Sequence, residues 1–414
     1  MHAANKSREA KQERSALRQQ RILEATIELI AENGVASVNH RLIAKRAEVS
    51  LAATTYHFAT KSEIISRASA LLLEKYIERF DNFAARQLDS KTITFRDFAM
   101  RVVCNAAEKN RQESLAWCEI MLHAARNKEA RIMAQDWYNS LGDIWKKIAD
   151  ALDEPNTDEK IQSAIDIVVG MLFVVIPLGI SEHDAKRSLI DKNAPDDIWS
   201  LPKPPDEQTE TPPKRRSKKS KLTRAAILAS AIDILTKDGP GGLTYQAVAE
   251  HSGLVRSAPI YHYPTMASLL SAAQACLFAQ SKDRYREVMS GVNRDATKTN
   301  DIIELTVSVF RHEAKKYGAK NLASLPIWLE AARQAEIRPV VWDAFCDQNK
   351  AWERAFARIG LDAKPLDALI LHRLFVGKLV RALATGSDEA TLSRIHDEFA
   401  FDIRAIFEGS HWAS

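Results

Sequence analysis

The feature that most constrains this chain is that it repeats itself. Laid with Gly34 over Gly239, an offset of 205 residues, RILEATIELIAENGVASVNHRLIAKRAEVSLAATTYHFATKSEII falls into register with AILASAIDILTKDGPGGLTYQAVAEHSGLVRSAPIYHYPTMASLL. Ala44 then meets Ala249, Val49 meets Leu254, Tyr56 meets Tyr261 and His57 meets His262. Further along, an offset of 207 puts ARNKEAR (Ala125 to Arg131) on ARQAEIR (Ala332 to Arg338), Trp145 on Trp352 and Gly170 on Gly377. Chance matching of common residues does not hold register over such a length, so the chain reads as two homologous halves.

The seam is visible. Pro202, Pro204, Pro205, Pro212 and Pro213, among acidic and polar neighbours, mark an extended linker. KRRSKKSKLTR follows, Lys214 to Arg224, with seven basic residues and no acid; a sparser run of Lys6, Arg8, Lys11, Arg14, Arg18 and Arg21 precedes the first copy. The divisions expected are 15–65, 66–195, a linker at 196–220, then 221–270 and 271–414.

Helical periodicity dominates. Ile22, Ala25, Leu29 and Ile30 form one apolar face, as do Ile227, Ala231, Ile234 and Leu235, and each of these helices stops at a glycine, Gly34 or Gly239. Asn39 and Thr244 stand as N-caps before short helices, and Thr60 with Glu63 has capping-box spacing. No long alternating strand segment occurs, so an all-α protein is expected. The uncharged run Ile167 to Ile180 is too short to span a membrane and fits a buried helix. The N-terminus is charged and has no apolar core, so no signal peptide is read; a soluble cytoplasmic protein without membrane contact is expected. Cys104, Cys118, Cys276 and Cys346 are too widely spaced for a metal site or disulfide framework and read as buried free thiols; no metal or cofactor is expected.

Within 21–58 and 226–263, two short helices flank a tight turn, Glu48-Val49-Ser50 or Gly253-Leu254-Val255, which is the grammar of a helix-turn-helix. Its second helix is sized to enter the major groove, where base edges present a readable pattern. Both halves resemble the TetR family of transcriptional regulators. The first copy carries Ile43-Ala44, Val49-Ser50, Tyr56-His57-Phe58 and Lys61, and the second Val248-Ala249, Gly253-Leu254 and Tyr261-His262-Tyr263. There are departures. Glu48 replaces the turn glycine, Thr55 and Ile260 replace the first tyrosine at the recognition-helix end, and Met266 stands where the lysine would be. Pro259 falls inside the second recognition helix, which is therefore expected to start late, capped by Ser257.

The resemblance implies two tandem TetR-like modules, each a three-helix DNA-binding domain followed by a helical ligand and dimerisation domain. The implied partner is double-stranded DNA. The expected contacts are Asn39, His40, Arg41, Ser50, Leu51, Ala52, Thr54, Thr55, Tyr56, His57 and Lys61 in the first unit. In the second they are Thr244, Tyr245, Gln246, Arg256, Ser257, Ile260, Tyr261 and His262. Aromatic and sulfur residues of the C-terminal regions, Trp117, Met121 and Trp328, are the ligand-lining expectation, for a small hydrophobic effector; core packing is the competing reading. Helices near Ile161–Ile180 and Leu366–Ala384, with Gly170 and Gly377, suit a four-helix interface. The halves are expected to pair within one chain as a pseudo-dimer, a homodimer of the whole chain being the other assembly. The function expected is that of a repressor released by a small molecule, with a ligand-independent regulator or activator as the alternative. Without a phosphate loop, nucleophile elbow or ligand cluster, no enzyme is expected.

Overall fold

A computed structural model describes residues 2–90, 93–155, 157–189, 217–290, 299–358 and 365–408, and all regular structure among them is helical. The first half holds α1 (His2–Ser37), α2 (His40–Arg46), α3 (Leu51–His57), α4 (Lys61–Ser90), α5 (Phe95–Ala107), α6 (Arg111–Arg126), α7 (Ala130–Ala151), α8 (Asp158–Leu178) and α9 (Glu182–Leu189). The second holds α10 (Lys218–Asp238), α11 (Tyr245–Ser252), α12 (Ser257–His262), α13 (Met266–Ser290), α14 (Thr299–Arg311), α15 (Gly318–Ala331), α16 (Arg338–Arg358), α17 (Pro365–Thr385) and α18 (Glu389–Phe407). Taken in order, α1 to α9 and α10 to α18 start within a few residues of the offsets found in the sequence, apart from the first pair. The Pro-rich linker expected from Pro202 to Pro213 lies outside the described residues.

The expected helix ends form. Gly34 interrupts α1 with φ 73° and ψ 161°, so the last turn to Ser37 is a separate turn, and Gly239 caps α10 with φ 71°. The acceptors Asn39 Oδ1 and Thr244 Oγ1 take the N–H of Leu42 and Ala247, as N-caps do. Thr60 Oγ1 accepts from Glu63 N at 3.1 Å, while Glu63 Oε2 reaches back to Ala59 N at 2.8 Å. Of the four free thiols, Cys104 and Cys118 are buried; Cys276 and Cys346 are only half-buried, which corrects the uniform expectation.

The most extensive helix contact is α8 against α17. α8 is long and apolar enough to cross a membrane by length and composition, yet it is packed inside the protein. The two helices meet through glycine at equivalent places. A Cβ on Gly170 would lie 2.0 Å from the Arg373 carbonyl oxygen, and one on Gly377 would lie 1.8 Å from that of Asp166. Asp166 and Arg373 are themselves equivalent at the 207 offset, so the contact is reciprocal.

Beside this contact lies a buried ionic cluster; at the 207 offset its two cations, Lys378 and Arg381, correspond to the apolar Met171 and Val174. Lys378 Nζ is 3.0 Å from Asp166 Oδ2 and 3.2 Å from Glu398 Oε2, and Arg381 makes a two-pronged bond to Asp166 at 3.0 and 3.1 Å while also binding Glu398. Asp402 accepts from Ser163, and its other oxygen lies 3.1 Å from Lys378 Nζ without aligned hydrogen-bond geometry. Two cations therefore serve three carboxylates. Burial pushes the Asp402 carboxyl up to about 6, against 3.8 for an ordinary aspartate, although Lys378 and Ser163 pull the other way.

Three outcomes follow for stability. Gly377→Ala forces backbone against backbone and should cost about 3 kcal/mol in urea unfolding. Gly142→Ala, with nothing within 4 Å of its Cβ, should instead stabilise by about 0.5–1 kcal/mol. For Asp402 the folded state binds the proton more tightly than the unfolded chain. Its contribution is thus greatest below pH 4 and is lost as pH rises through about 6. Asp402→Asn should remove that decline, and unfolding curves from pH 4 to 7 should show the variant gaining on the parent.

Candidate nucleic-acid interface

Each helix-turn-helix is built from a short helix, a left-handed turn residue and a second short helix. The left-handed residue is Gly253 in the second unit, with φ 66°. In the first it is Glu48, with φ 53°, one of two non-glycine residues with positive φ among those described. The turn thus keeps the geometry that glycine serves, at the steric cost of a side chain. Glu48 also reaches Arg21 at 3.3 Å on the surface. Val49 and Leu254, next in each half, pack against the core.

The first recognition helix, α3, is capped by Ser50, whose hydroxyl accepts from Ala53 N at 3.1 Å. Ser50, Leu51, Ala52, Thr55 and Tyr56 are exposed, and His57 is half-buried. Thr54 is not part of this surface. It is fully buried, its hydroxyl donates to Leu51 O at 2.8 Å, and His40 Nδ1 stands 3.3 Å from it. Both are drawn inward because the two short helices must pack at their crossing. Tyr245, the counterpart of His40, likewise donates its hydroxyl to Tyr263 O at 2.8 Å. Lys61 is half-buried and donates to Ala36 O at 2.8 Å, and burial lowers its pKa, so in this state its ammonium holds the last turn of α1. Asn39 spends its side-chain oxygen on the cap, and Arg41 is exposed.

The second recognition helix, α12, starts late, but Ser257 is not its cap. Arg256 occupies the cap position without a side-chain bond, Ser257 is the first helical residue and Pro259 the third, where its missing N–H breaks no helical bond. Arg256, Ser257, Ile260 and Tyr261 are exposed, His262 is half-buried, and Thr244 and Gln246 lie exposed on and beside α11. Sequence reasoning passed over Val255, which is 71% exposed at the position equivalent to Ser50; the alignment itself pointed to it.

Tyr56 and Tyr261 are the most exposed large apolar residues described, at 84% and 81%. Each stands edge-on to the following histidine, at 5.2 Å and 81° in the first unit and 5.1 Å and 83° in the second. The basic runs are helical: Arg14, Arg18 and Arg21 project from the first part of α1, and Lys218, Lys219 and Lys221 from the first turns of α10. Arg224 stacks over Tyr263 at 4.3 Å and donates to His262 O at 2.8 Å, fastening that helix to the recognition unit.

The units are also tied to the helical body, through residues the sequence had marked without explaining. Arg126 donates to Leu235 O at 3.3 Å, and Arg333 donates to Ile30 O at 3.3 Å and Ala31 O at 2.8 Å. These are equivalent arginines reaching equivalent carbonyls, each in the opposite half; both belong to the repeated Ala-Arg-x-x-Glu-x-Arg segment. Arg333 also pairs with buried Glu119 at 2.8 Å. His123, four residues from Glu119, is held neutral by burial, with its pKa pushed down to about 4. Ala36 and Gly241, again equivalent, touch: a Cβ on Gly241 would lie 2.4 Å from that of Ala36.

Residues 22–68 match the family profile described as bacterial regulatory proteins, tetR family, and residues 297–405 match the tetracyclin repressor-like C-terminal domain. Two stretches of the chain thus resemble the N-terminal and C-terminal domains of TetR-family regulators. It is 31% identical over 112 residues to the HTH-type transcriptional regulator PksA of Bacillus subtilis (strain 168), a span covering 27% of this chain and 54% of PksA. It is 28% identical over 159 residues to the HTH-type nicotine-responsive transcriptional repressor HdnoR of Paenarthrobacter nicotinovorans, covering 38% of this chain and 79% of HdnoR. A crystal structure described as multidrug binding protein EbrR complexed with imidazole covers 42% of the chain and 93% of its own, at 19% identity and a TM-score of 0.33. The chain spans about half the length of PksA. Both of these relatives are named as transcriptional regulators, HdnoR as a repressor.

Restoring the family's turn residue gives a direct test of the local argument. Glu48→Gly should raise stability by about 1 kcal/mol in chemical unfolding. By removing an anion beside the recognition helix it should also tighten duplex binding at low salt, whereas Glu48→Gln should tighten binding without the stability gain.

Proposed function

We propose that the chain is a sequence-specific DNA-binding regulator whose two halves are TetR-like modules paired within one polypeptide. The carrying observation is the set of reciprocal contacts between equivalent residues: Gly170 on Arg373 with Gly377 on Asp166, and Ala36 on Gly241. Equivalent residues meet one another across an approximate two-fold axis, as in an isologous dimer. The matched N-terminal domain lies in the first half and the matched C-terminal domain in the second, and a relative covered to 79% of its length uses only 38% of this chain. Both facts agree with a duplication.

On this reading each recognition helix meets one half-site of the duplex, about one helical turn apart. Because Ser50-Leu51-Ala52 and Val255-Arg256-Ser257 differ in chemistry, the operator is asymmetric. Leu51, Ala52 and Val255 present methyl groups suited to thymine, and Arg256 a guanidinium suited to guanine or phosphate. The exposed cations at the starts of α1 and α10 add affinity through counterion release. The family's habit, and the nicotine-responsive relative, favour a repressor whose grip changes when a small molecule binds the helical body.

Purified protein should sediment as one chain of 46.3 kDa and bind a preferred duplex selected from random sequence. A stable species of twice that mass overturns the intramolecular pairing. Tyr56→Ala and Tyr261→Ala should each weaken the selected duplex by about 1–2 kcal/mol with unchanged melting temperature, read by fluorescence anisotropy.

A further inference from the structure

Equivalent positions in the two halves enclose cavities of very different size, about 110 Å³ in the first and about 460 Å³ in the second. At the repeat offsets, Tyr76 becomes Ser281, Trp117 becomes Ser324 and Trp137 becomes Ala344, so three large rings are exchanged for small side chains. Ala106, Leu141 and Ile165 become Glu313, Gln348 and His372, so apolar wall becomes polar wall. The first site is largely filled by its own rings: Trp137 donates its N–H to Ser69 Oγ and Trp145 to Tyr76 Oη, each at 2.8 Å, while Trp117 Nε1 is buried without a partner among the described residues, so an unpaired indole alone does not set the two sites apart.

We propose that each chain takes a single effector, in the second half only, and that it is a small amphipathic anion with a ring-bearing apolar body. This rests on the reading of the helical body as the ligand-responsive part of a DNA-binding regulator. The apolar body is accommodated by Phe278, Trp352 and Phe375. At the wall, Trp328 Nε1 and His372 Nδ1 are buried without a hydrogen-bond partner among the described residues, although their side chains line the cavity. Buried polar groups left unpaired are costly, and a ligand acceptor on the indole N–H removes that cost. Desolvation keeps His372 neutral, so it adds no charge.

The charged lining is unbalanced. Glu313 is held by Arg284 in a two-pronged pair at 3.0 Å, and Asp347 is held by Lys282 at 2.5 Å. Arg286 pairs with Asp283, leaving Arg354 and Arg358, one turn apart on α16, as the cationic excess of the lining. Both are exposed, which places them at the rim, beside the Tyr285 phenol. An apolar wall with unpaired polar atoms and a cationic rim fits a carboxylate or sulfonate carried on an aromatic body.

The experiment is isothermal titration of the full chain with 8-anilinonaphthalene-1-sulfonate, and with uncharged N-phenyl-1-naphthylamine for comparison. One sulfonate per chain is expected, with the uncharged probe weaker by about tenfold. Ser324→Trp, which rebuilds the ring-filled first site in the second half, should weaken the sulfonate by about tenfold or more, and Trp117→Ser should leave it unchanged. Ser324→Leu serves as the milder filler if the tryptophan lowers the melting temperature. Two sites per chain, equal affinity for the uncharged probe, indifference to both fillers, or no saturable binding each overturn the proposal. Duplex binding is measured on the same protein without probe, so loss of the DNA reading is seen separately from loss of this one.

Discussion

The close approach of α8 and α17 is the constraint from which the rest of the arrangement follows. Backbones can touch only where a side chain is missing, and here glycine supplies that gap at two equivalent places, Gly170 and Gly377. Once the helices are that close, the adjoining helices have little freedom. α6 packs on α17 and α15 on α8, each in the opposite half, and the ends of α6 and α15 lead to Arg126 and Arg333, which grip the first helices of the opposite helix-turn-helix units. The spacing of two recognition helices is thereby set by one contact deep in the body.

The frame is symmetric in backbone and asymmetric in chemistry. Asp166 of α8 is neutralised by Lys378 and Arg381 of α17, whereas its counterpart Arg373 lies over the Phe345 ring at 4.8 Å with no hydrogen-bond partner. Pairing α17 with a second α17 would crowd cations, and pairing α8 with a second α8 would bury carboxylates without partners. Both are heavily penalised in a low-dielectric interior. The cluster is thus better understood as a choice of partner than as a source of stability, since two buried cations and three carboxylates together carry a large desolvation cost.

Much of this was legible in the sequence because the repeat is itself a structural statement. Equivalent residues had to sit in equivalent places, the stops at Gly34 and Gly239 and the caps at Asn39 and Thr244 followed from local chemistry, and Tyr56 and Tyr261 were singled out by the family resemblance. Thr54 was misread because a seven-residue helix turns only one face to solvent, and periodicity alone does not say which side packs on α2. Ser257 was misplaced as a cap because proline fixes where a helix can start but not which residue precedes it. The arginine braces were visible as a repeated segment, yet their role was not, since a sequence gives no distance between residues some 200 positions apart. Pocket residues fared unevenly: Trp117 and Trp328 line cavities, whereas Met121 is fully buried and lines neither of the two cavities described.

A fused pair can do what two identical subunits cannot. In a homodimer, every change to a recognition helix or pocket appears twice, so operator and effector stoichiometry are bound to the symmetry. Here Trp328 is carried by α15, and five residues later Arg333 holds the last turns of α1 in the other half. A ligand that shifts α15 therefore acts first on the unit that does not belong to its own half. Its effect on DNA is limited to the difference in its affinity for the two positions of that helix. The reverse brace, Arg126 on α10, starts from α6, whose Trp117 is packed against Trp137 and Tyr138 in the ring-filled site. On the proposed reading one half senses while the other stays fixed, a division that the exchange of three aromatic rings for small residues is sufficient to produce.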